Sequence, residues 1–180
     1  LAALRNEASL RIILTGIPEQ IEPHTKTAHG DLSERLSMKP TTQVVGMDEK
    51  PQDALRKKKD SSMRVAIDLV KSGEAQACVS AGNTGALMAT ARFVLKTIEG
   101  IDRPAIISRI PARHGHTHVL DLGANSECTA EHLFQFAVMG SVVASDMHGI
   151  ARPRVGLLNI GEEDIKGHEI VQAAHALLAT

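Results

Sequence analysis

Short apolar segments alternate with longer segments of helical character along this 180-residue chain. Six candidate strands are rich in β-branched or aliphatic residues; they cover residues 10–15, 42–47, 76–80, 105–109, 118–122 and 154–160. Five candidate helices follow apolar residues at helical spacing; they cover 52–59, 61–72, 84–97, 130–147 and 167–178. Strands that alternate with helices pair in parallel and are covered on both faces. The sequence therefore predicts an α/β fold of three layers, αβα, around a mostly parallel sheet.

Two stretches do not follow this alternation. Residues 23–41 carry Pro23, Gly30 and Pro40 among charged residues, which predicts irregular structure or a poorly formed helix. Residues 113–118 are predicted to form an exposed connection. The chain opens on Leu1 rather than Met and closes within a helical pattern. We therefore expect a single α/β domain over residues 1–180 that is a fragment of a longer chain.

Composition excludes several classes of function. The net charge is -1, and the chain has three Phe but no Tyr or Trp, so there is no global electrostatic case for nucleic-acid binding, and aromatic stacking platforms are almost absent. Cys78 and Cys128 lie fifty residues apart, which favours two small core residues over a disulfide framework or a metal knuckle. No apolar run is long enough to cross a bilayer. We expect a cytoplasmic protein, with peripheral contact at the inner membrane face left open.

The turn between residues 79 and 85 is the strongest candidate site. It joins a predicted strand to a predicted helix through small and polar residues: Ser80, Gly82, Asn83, Thr84 and Gly85. Such a turn directs unpaired backbone N–H groups towards one place beside the positive end of the helix dipole. This arrangement binds phosphate and other anions. The alternative is that the polar side chains only cap the helix.

Polar residues also follow two other predicted strands. Asn125 follows strand 118–122, while Asn159, Glu162, Glu163 and Lys166 lie at or after the end of strand 154–160. In open α/β sheets, ligands bind beyond the carboxyl ends of the strands. Asn125 could donate to a bound carbonyl or phosphate, or stabilise its own turn. Lys166 could neutralise phosphate charge, or remain solvated.

The dense basic run of the chain is Arg56, Lys57, Lys58 and Lys59. Such a patch would steer an acidic protein towards the site, although cations also suit the negative end of a helix.

Among the other reactive side chains, His114, His116 and His118 alternate as strand residues do and could gather a metal. Without neighbouring carboxylates or cysteines, an exposed loop is the favoured interpretation.

Six segments, in this order, closely resemble a known family: 47–51 (MDEKP), 55–63 (LRKKKDSSM), 79–89 (VSAGNTGALMA), 100–105 (GIDRPA), 121–125 (DLGAN) and 152–163 (RPRVGLLNIGEE). The family is the bacterial acyl-ACP:phosphate acyltransferases of phospholipid synthesis. The resemblance covers nearly all of residues 42–178. It implies a fold similar to the isocitrate/isopropylmalate dehydrogenase group. It also implies that this fold is incomplete here, since the family's opening strand, with its Asp-Ala-Met-Gly-Gly-Asp signature, and its C-terminal half are not in the sequence.

The resemblance implies a reaction and its partners. Inorganic phosphate attacks the thioester of a long-chain acyl carrier protein, and the acyl phosphate then feeds a membrane glycerol-3-phosphate acyltransferase. The family's members are homodimers, and no metal or organic cofactor is expected. Phosphate is already an anion and a thiolate leaves readily, so the enzyme's tasks are positioning and stabilisation of the oxyanion. Cys128 is not expected to act as a nucleophile.

The expected site residues fall into three sets. The phosphate would bind Ser80, Gly82, Asn83, Thr84 and Gly85. The catalytic groups would be Asn83, Thr84, Asn125 and Lys166, and the acyl carrier protein would bind Arg56, Lys57, Lys58 and Lys59. Two other functions stay open: a noncatalytic module that binds phosphate or carrier, and a nicotinamide-dependent dehydrogenase of the same fold group. The second lacks a recognisable G-x-G-x-x-G cofactor loop.

Overall fold

The computed structural model describes residues 1–161 and 166–179, and the chain is α/β. It divides into two compact units, Leu1–Lys96 and Thr97–Thr180. Within the described residues, no helix combines the length and apolar character that crossing a membrane requires.

The first unit contains six helices and a small parallel sheet. Its elements in chain order are α1 (Ala2–Asn6), β1 (Ile12–Gly16), α2 (Pro18–Thr25), α3 (Asp31–Glu34), β2 (Leu36–Pro40), α4 (Pro51–Lys57), α5 (Ser62–Ser72) and α6 (Thr84–Leu95). Strands β1 and β2 pair in parallel, with Ile12 opposite Leu36 and Gly16 opposite Pro40.

The core of the first unit lies where α4, α5 and α6 pack together. Its buried members are Val45, Ala54, Met63, Ile67, Ala86 and Val94. Helix α5 begins where the Ser61 side chain accepts a hydrogen bond from the Arg64 backbone N–H, and it ends at Gly73 with φ +81°. Only a residue without a Cβ adopts that left-handed conformation at little cost. Ile67 is fully buried, which stabilises the unit by roughly 1.5–3 kcal/mol.

Among its described residues, the second unit contains a hairpin and two helices. Its elements are β3 (Ser108–Pro111), β4 (His116–Val119), α7 (Ala130–His148) and α8 (Glu169–Leu178). The strands are antiparallel, with Arg109 opposite His118. Helix α7 begins with a reciprocal capping box between Thr129 and His132 and ends before Gly149. It packs against α8.

The predicted helices and one strand are confirmed. All five helices begin and end within two residues of their predicted limits, and β1 covers most of the predicted strand 10–15. Helix periodicity and capping residues are local signals, so they predict a helix without knowledge of its tertiary contacts. The predicted α/β class is therefore also confirmed.

Several other predictions about the elements are wrong. Residues 42–47, 76–80 and 154–160 do not form strands, and residues 42–47 contribute only an isolated bridge between Gln43 and Ser61. An extended segment becomes a strand only where another segment takes up its backbone hydrogen bonds. Without such pairing, apolar side chains on these segments stay in contact with water: Val79 is 97% exposed and Leu158 94%.

Two further regions differ from expectation. Residues 23–41 are not irregular throughout, because they include the end of α2, all of α3 and all of β2. Pairing with β1 gives β2 its order, a long-range effect that local composition does not reveal. Residues 116–118 lie in β4 rather than in an exposed connection, and β3 and β4 pair antiparallel. The reversal occurs at residues 112–115, where Gly115 has φ +79°.

Candidate functional site

Asn83 is held at the start of α6 by hydrogen bonds from both ends of its side chain. Its Oδ1 accepts from the Ala86 N–H at 3.0 Å, which caps the helix. Its Nδ2 donates to the carbonyl oxygens of Gly46, Met47 and Glu49 at 3.2, 3.0 and 2.9 Å. The residue is buried. The side chain therefore caps α6 and also fixes the preceding loop, and both of its amide hydrogens are engaged.

The first backbone N–H groups of α6, unlike the Asn83 side chain, have no hydrogen-bond acceptor among the described residues. Within residues 1–161 and 166–179, neither the Thr84 nor the Gly85 N–H donates a hydrogen bond, and both residues are exposed. The Gly82 N–H is engaged, because it donates to Ser80 Oγ at 3.2 Å. Two N–H groups beside the positive end of a helix can bind one anion. The turn predicted from the sequence thus presents Thr84 and Gly85 to solvent.

The two glycines of the turn lie close to neighbouring side chains. A Cβ on Gly85 would lie 3.1 Å from Cγ of Pro51, at the start of α4. A Cβ on Gly82 would lie 3.3 Å from Cε of Met63 in α5. Both distances are tighter than ordinary carbon–carbon contact. Glycine at these positions therefore lets α4 and α5 approach the turn, whatever the turn binds.

The basic run is divided between structural and exposed side chains. The Lys58 ammonium donates to the Val44 carbonyl oxygen and to the Glu49 carboxylate. The hydrogen bond from Lys58 is the largest cause that lowers the pKa of the Glu49 carboxyl, and the bond from the Gly46 N–H lowers it further. Lys58 therefore ties the end of α4 to the loop that Asn83 also holds.

The other members of the run face solvent. Arg56, Lys57 and Lys59 are exposed. Lys57 forms an ion pair with Asp53 at 2.8 Å, one helical turn earlier. An exposed pair of this kind adds little stability, so Lys57 can exchange its partner at small cost. Three positive side chains are thus presented at and after the C-terminal end of α4.

Asn125 stabilises the loop that contains it. Its backbone N–H donates to Asp121 Oδ2 at 2.7 Å, and its Nδ2 donates to the same oxygen at 3.2 Å and to the Pro104 carbonyl oxygen at 3.1 Å. Asp121 also accepts from the Ile106 N–H at 2.7 Å. Of the two interpretations left open for Asn125, the structure contains the turn-stabilising one.

The segment around residue 160 is described only in part. Asn159 Nδ2 donates to the Lys166 carbonyl oxygen at 3.1 Å, and the Lys166 side chain is exposed. Glu162 and Glu163, which the sequence placed beside Lys166, lie outside the described residues.

The surroundings of Cys128 disfavour the thiolate form of its side chain. Burial raises the pKa of its thiol, and the nearby Asp121 carboxylate raises it further, while Arg103 acts in the opposite direction. A thiol with a raised pKa holds its proton near neutral pH and reacts slowly.

Sequence reasoning missed one residue of chemical interest. His148, the last residue of α7, lies against His116 and His118 of β4. The alternation of His116 and His118 was visible in the sequence, but no local pattern pairs them with a residue thirty positions away. The candidate metal ligands were therefore incomplete. His114, the third member of the alternating set, does not belong to the cluster.

Comparison with known proteins identifies a matching family and several similar proteins. A family model described as "Fatty acid synthesis protein" matches residues 1–180. Curated proteins named "Phosphate acyltransferase" are 62% identical over 178 residues in Alkalilimnicola ehrlichii, 61% over 178 residues in Halorhodospira halophila and 57% over 179 residues in Methylococcus capsulatus. In each case the match covers 99% of this chain but only 52–53% of the relative. The chain thus spans about half the length of the curated relatives that it matches.

Proposed function

Because the chain belongs to the fatty acid synthesis protein family, we propose that its protein is a phosphate acyltransferase that moves a long-chain acyl group from acyl carrier protein to inorganic phosphate. The products would be an acyl phosphate and free carrier protein. The observation that carries this proposal is the identity of 62% over 178 residues to a protein of that name. The name supports the transfer to phosphate, and the resemblance of the motifs supports the carrier as donor.

The chemistry asks little of a general base. Phosphate is already an anion near neutral pH, and the carrier thiol has a pKa close to that of cysteine, about 8.5, so it leaves as a thiolate. The barrier lies in holding a partly desolvated anion against the acyl carbon and in stabilising the oxyanion that forms there. These tasks need fixed N–H donors rather than a catalytic triad.

We assign the phosphate to the first turn of α6. The exposed N–H groups of Thr84 and Gly85 are supported as donors because no described residue accepts from them. The Thr84 hydroxyl and the Ser80 hydroxyl, whose oxygen accepts from the Gly82 N–H, would donate further hydrogen bonds to the phosphate. Asn83 is better suited to positioning than to contact, since both hydrogens of its Nδ2 already bind loop carbonyls. The proposal thus keeps the predicted turn but changes the role of Asn83.

Asn125 and Lys166 stay proposed catalytic groups of the second unit. Lys166 is exposed and positively charged, which suits neutralisation of a phosphate oxygen. Asn125 would have to exchange a bond to Asp121 or Pro104 to reach a ligand. We therefore expect replacement of Lys166 to lower the rate of acyl transfer more than replacement of Asn125 does.

We assign carrier binding to the exposed part of the basic run. Arg56, Lys57 and Lys59 would attract an acidic carrier protein through long-range electrostatics. We give Lys58 a smaller part in this role, because two of the three hydrogens of its ammonium already bind Glu49 and Val44. We also propose three properties of the whole protein. Its fold is an αβα fold of the isocitrate/isopropylmalate dehydrogenase kind, and it is a cytoplasmic homodimer. It delivers acyl phosphate to a membrane glycerol-3-phosphate acyltransferase.

The reaction is tested with the full-length protein, acyl carrier thioester and phosphate, by following acyl phosphate as its hydroxamate. Formation of acyl phosphate that requires both substrates is expected. If the carrier binds but no acyl phosphate forms, the noncatalytic module replaces this proposal.

The phosphate site is tested by removing a single N–H. Thr84 is the first residue of α6, where proline is well tolerated, and Asn83 before it has φ −59° and ψ 110°, which a following proline accepts. Thr84→Pro is expected to lower kcat/KM for phosphate by about 10- to 100-fold, the equivalent of one lost hydrogen bond to a charged group. Thr84→Ala keeps the N–H and separates the effect of the hydroxyl.

The matched control places proline at the first position of another helix. Glu169→Pro in α8 follows His168, whose φ of −66° and ψ of 153° are equally suitable, and it should leave phosphate kinetics unchanged. If Thr84→Pro behaves like Glu169→Pro in an active enzyme, the phosphate lies elsewhere, and the acyl transfer itself stands.

A further inference from the structure

Three histidine side chains of the second unit converge on one point. His148 Nε2 lies 3.0 Å from His116 Nε2 and 2.9 Å from His118 Nε2. His116 and His118 are two positions apart on β4, so their side chains leave the same face of the hairpin. His148 arrives from the last turn of α7. Segments thirty residues apart thus direct three ring nitrogens at a common centre.

Hydrogen bonds among the three rings cannot satisfy all three nitrogens. A ring nitrogen of a neutral imidazole carries either one proton or one lone pair. His148 Nε2 can therefore make one linear hydrogen bond, to His116 or to His118 but not to both. Protonation of the rings would bring like charges into contact. A cation at the centre would instead accept a lone pair from all three nitrogens at once.

The spacing of the nitrogens fits a small transition metal ion. The three candidate ligand atoms all lie within 4.8 Å of one another. Zinc binds histidine nitrogen at about 2.0–2.1 Å, so two such ligands in a tetrahedral site lie about 3.3–3.4 Å apart. The two contacts through His148 would open by a few tenths of an ångström, and the third pair, His116 and His118, lies within the 4.8 Å that bounds the three ligand atoms. Imidazole donors suit zinc and its neighbours in the first transition row, whereas magnesium and calcium prefer oxygen.

The surroundings combine one favourable and one unfavourable charge. The C-terminal end of α7, a helix of 19 residues, carries the negative end of the helix dipole, which attracts a cation bound to its last residue. Arg109 lies directly opposite His118 in the hairpin and repels a cation. That same guanidinium would favour an anion or hydroxide as a further ligand of the metal. His116 is exposed, so the centre is open to solvent on one side.

We propose that His116, His118 and His148 form a binding site for a divalent transition metal ion of the zinc class. Three protein ligands leave at least one coordination position for water or a small anion, the open arrangement in which a bound metal remains reactive. The site belongs wholly to the second unit and uses none of the residues assigned to phosphate or carrier. It is therefore independent of the proposed acyl transfer.

The test measures metal affinity directly. Full-length protein, freed of metal by chelation, is titrated with Zn²⁺ in competition with a chromophoric chelator. His148→Ala is expected to lose one equivalent of bound Zn²⁺ or to weaken its binding at least tenfold, and His118→Ala should do the same. His114→Ala and His175→Ala are the controls, because both remove an exposed histidine of the same unit that lies outside the cluster. Both control variants should bind Zn²⁺ with the affinity of the wild type.

Cobalt provides a second measurement on the unaltered protein. Co²⁺ at a site of three nitrogens with an open position should give the intense visible absorption of four- or five-coordination, without the thiolate bands that Cys78 or Cys128 would add. Equal Zn²⁺ affinity of wild type and His148→Ala would overturn the proposal. So would a cobalt spectrum of weak octahedral type, or thiolate bands that persist in the His118→Ala variant at full intensity.

Discussion

Replacement of Asn83 separates the two tasks of its side chain. Asn83→Ala removes the cap of α6, which costs about 1 kcal/mol. It also removes the two amide hydrogens that three loop carbonyls share, at about 0.5–1.5 kcal/mol for each hydrogen. The expected loss in the free energy of unfolding is therefore about 2–4 kcal/mol. Asn83→Ser keeps an oxygen that can cap the helix but has no amide, so it should lose only the second contribution, about 1–3 kcal/mol.

Asn83→Asp provides an isosteric comparison. It keeps the capping oxygen, but it removes both amide hydrogens and turns a carboxylate towards the carbonyl oxygens of Gly46, Met47 and Glu49. Asn83→Asp should lower the free energy of unfolding by at least as much as Asn83→Ser does. The chain has no Trp or Tyr, so urea unfolding is followed by far-ultraviolet circular dichroism, with the slope m compared between variants.

The result for Asn83→Ser decides the interpretation. If its free energy of unfolding lies within about 0.5 kcal/mol of the wild type, the bonds to the loop contribute nothing measurable, and Asn83 is only a cap.

Three further outcomes are expected. The pKa of the Glu49 carboxyl lies below its ordinary 4.5 because Lys58 binds it, so Glu49 should add stability above that pH and lose it on acidification; the acid branch of the stability curve should be shallower in Glu49→Gln, and superimposable curves would contradict this. Thr41 is buried with a hydroxyl that lacks a hydrogen-bond partner among the described residues, so Thr41→Val should raise the free energy of unfolding by about 1 kcal/mol while Thr41→Ser does not, and a loss in Thr41→Val would refute the reasoning. Because burial raises the pKa of its thiol, Cys128 should be alkylated by iodoacetamide more slowly than a small model thiol, as peptide mass spectrometry would show, and equal rates would count against it.

The helices could be predicted because their signals are local. Ser61 and Gly73 mark the two ends of α5, and apolar residues at helical spacing mark the face that it buries. Asn83 could likewise be recognised as the residue before α6. Its bonds to the loop at 46–49 could not, because no sequence pattern connects positions more than thirty residues apart.

The strands were predicted less well because a strand depends on its neighbour. Residues 76–80 and 36–40 are similar in length, yet only the second is a strand, since β1 lies beside it. The same dependence on distant residues limited the prediction of the candidate site. The turn at 80–85 was located from its glycines, whereas the engagement of Lys58 with Glu49 and the approach of His148 to His118 depend on tertiary contacts.

The bonds from Asn83 to residues 46–49 also bear on the order of folding. They close a loop of more than thirty residues that contains all of α4 and α5, and its closure entropy must be overcome before they form. Local helical turns can appear first, whereas this closure belongs with the late, cooperative consolidation of the unit. The amide protons of α6 near Ala86 should then exchange with solvent only through an opening that releases the 46–49 segment at the same time.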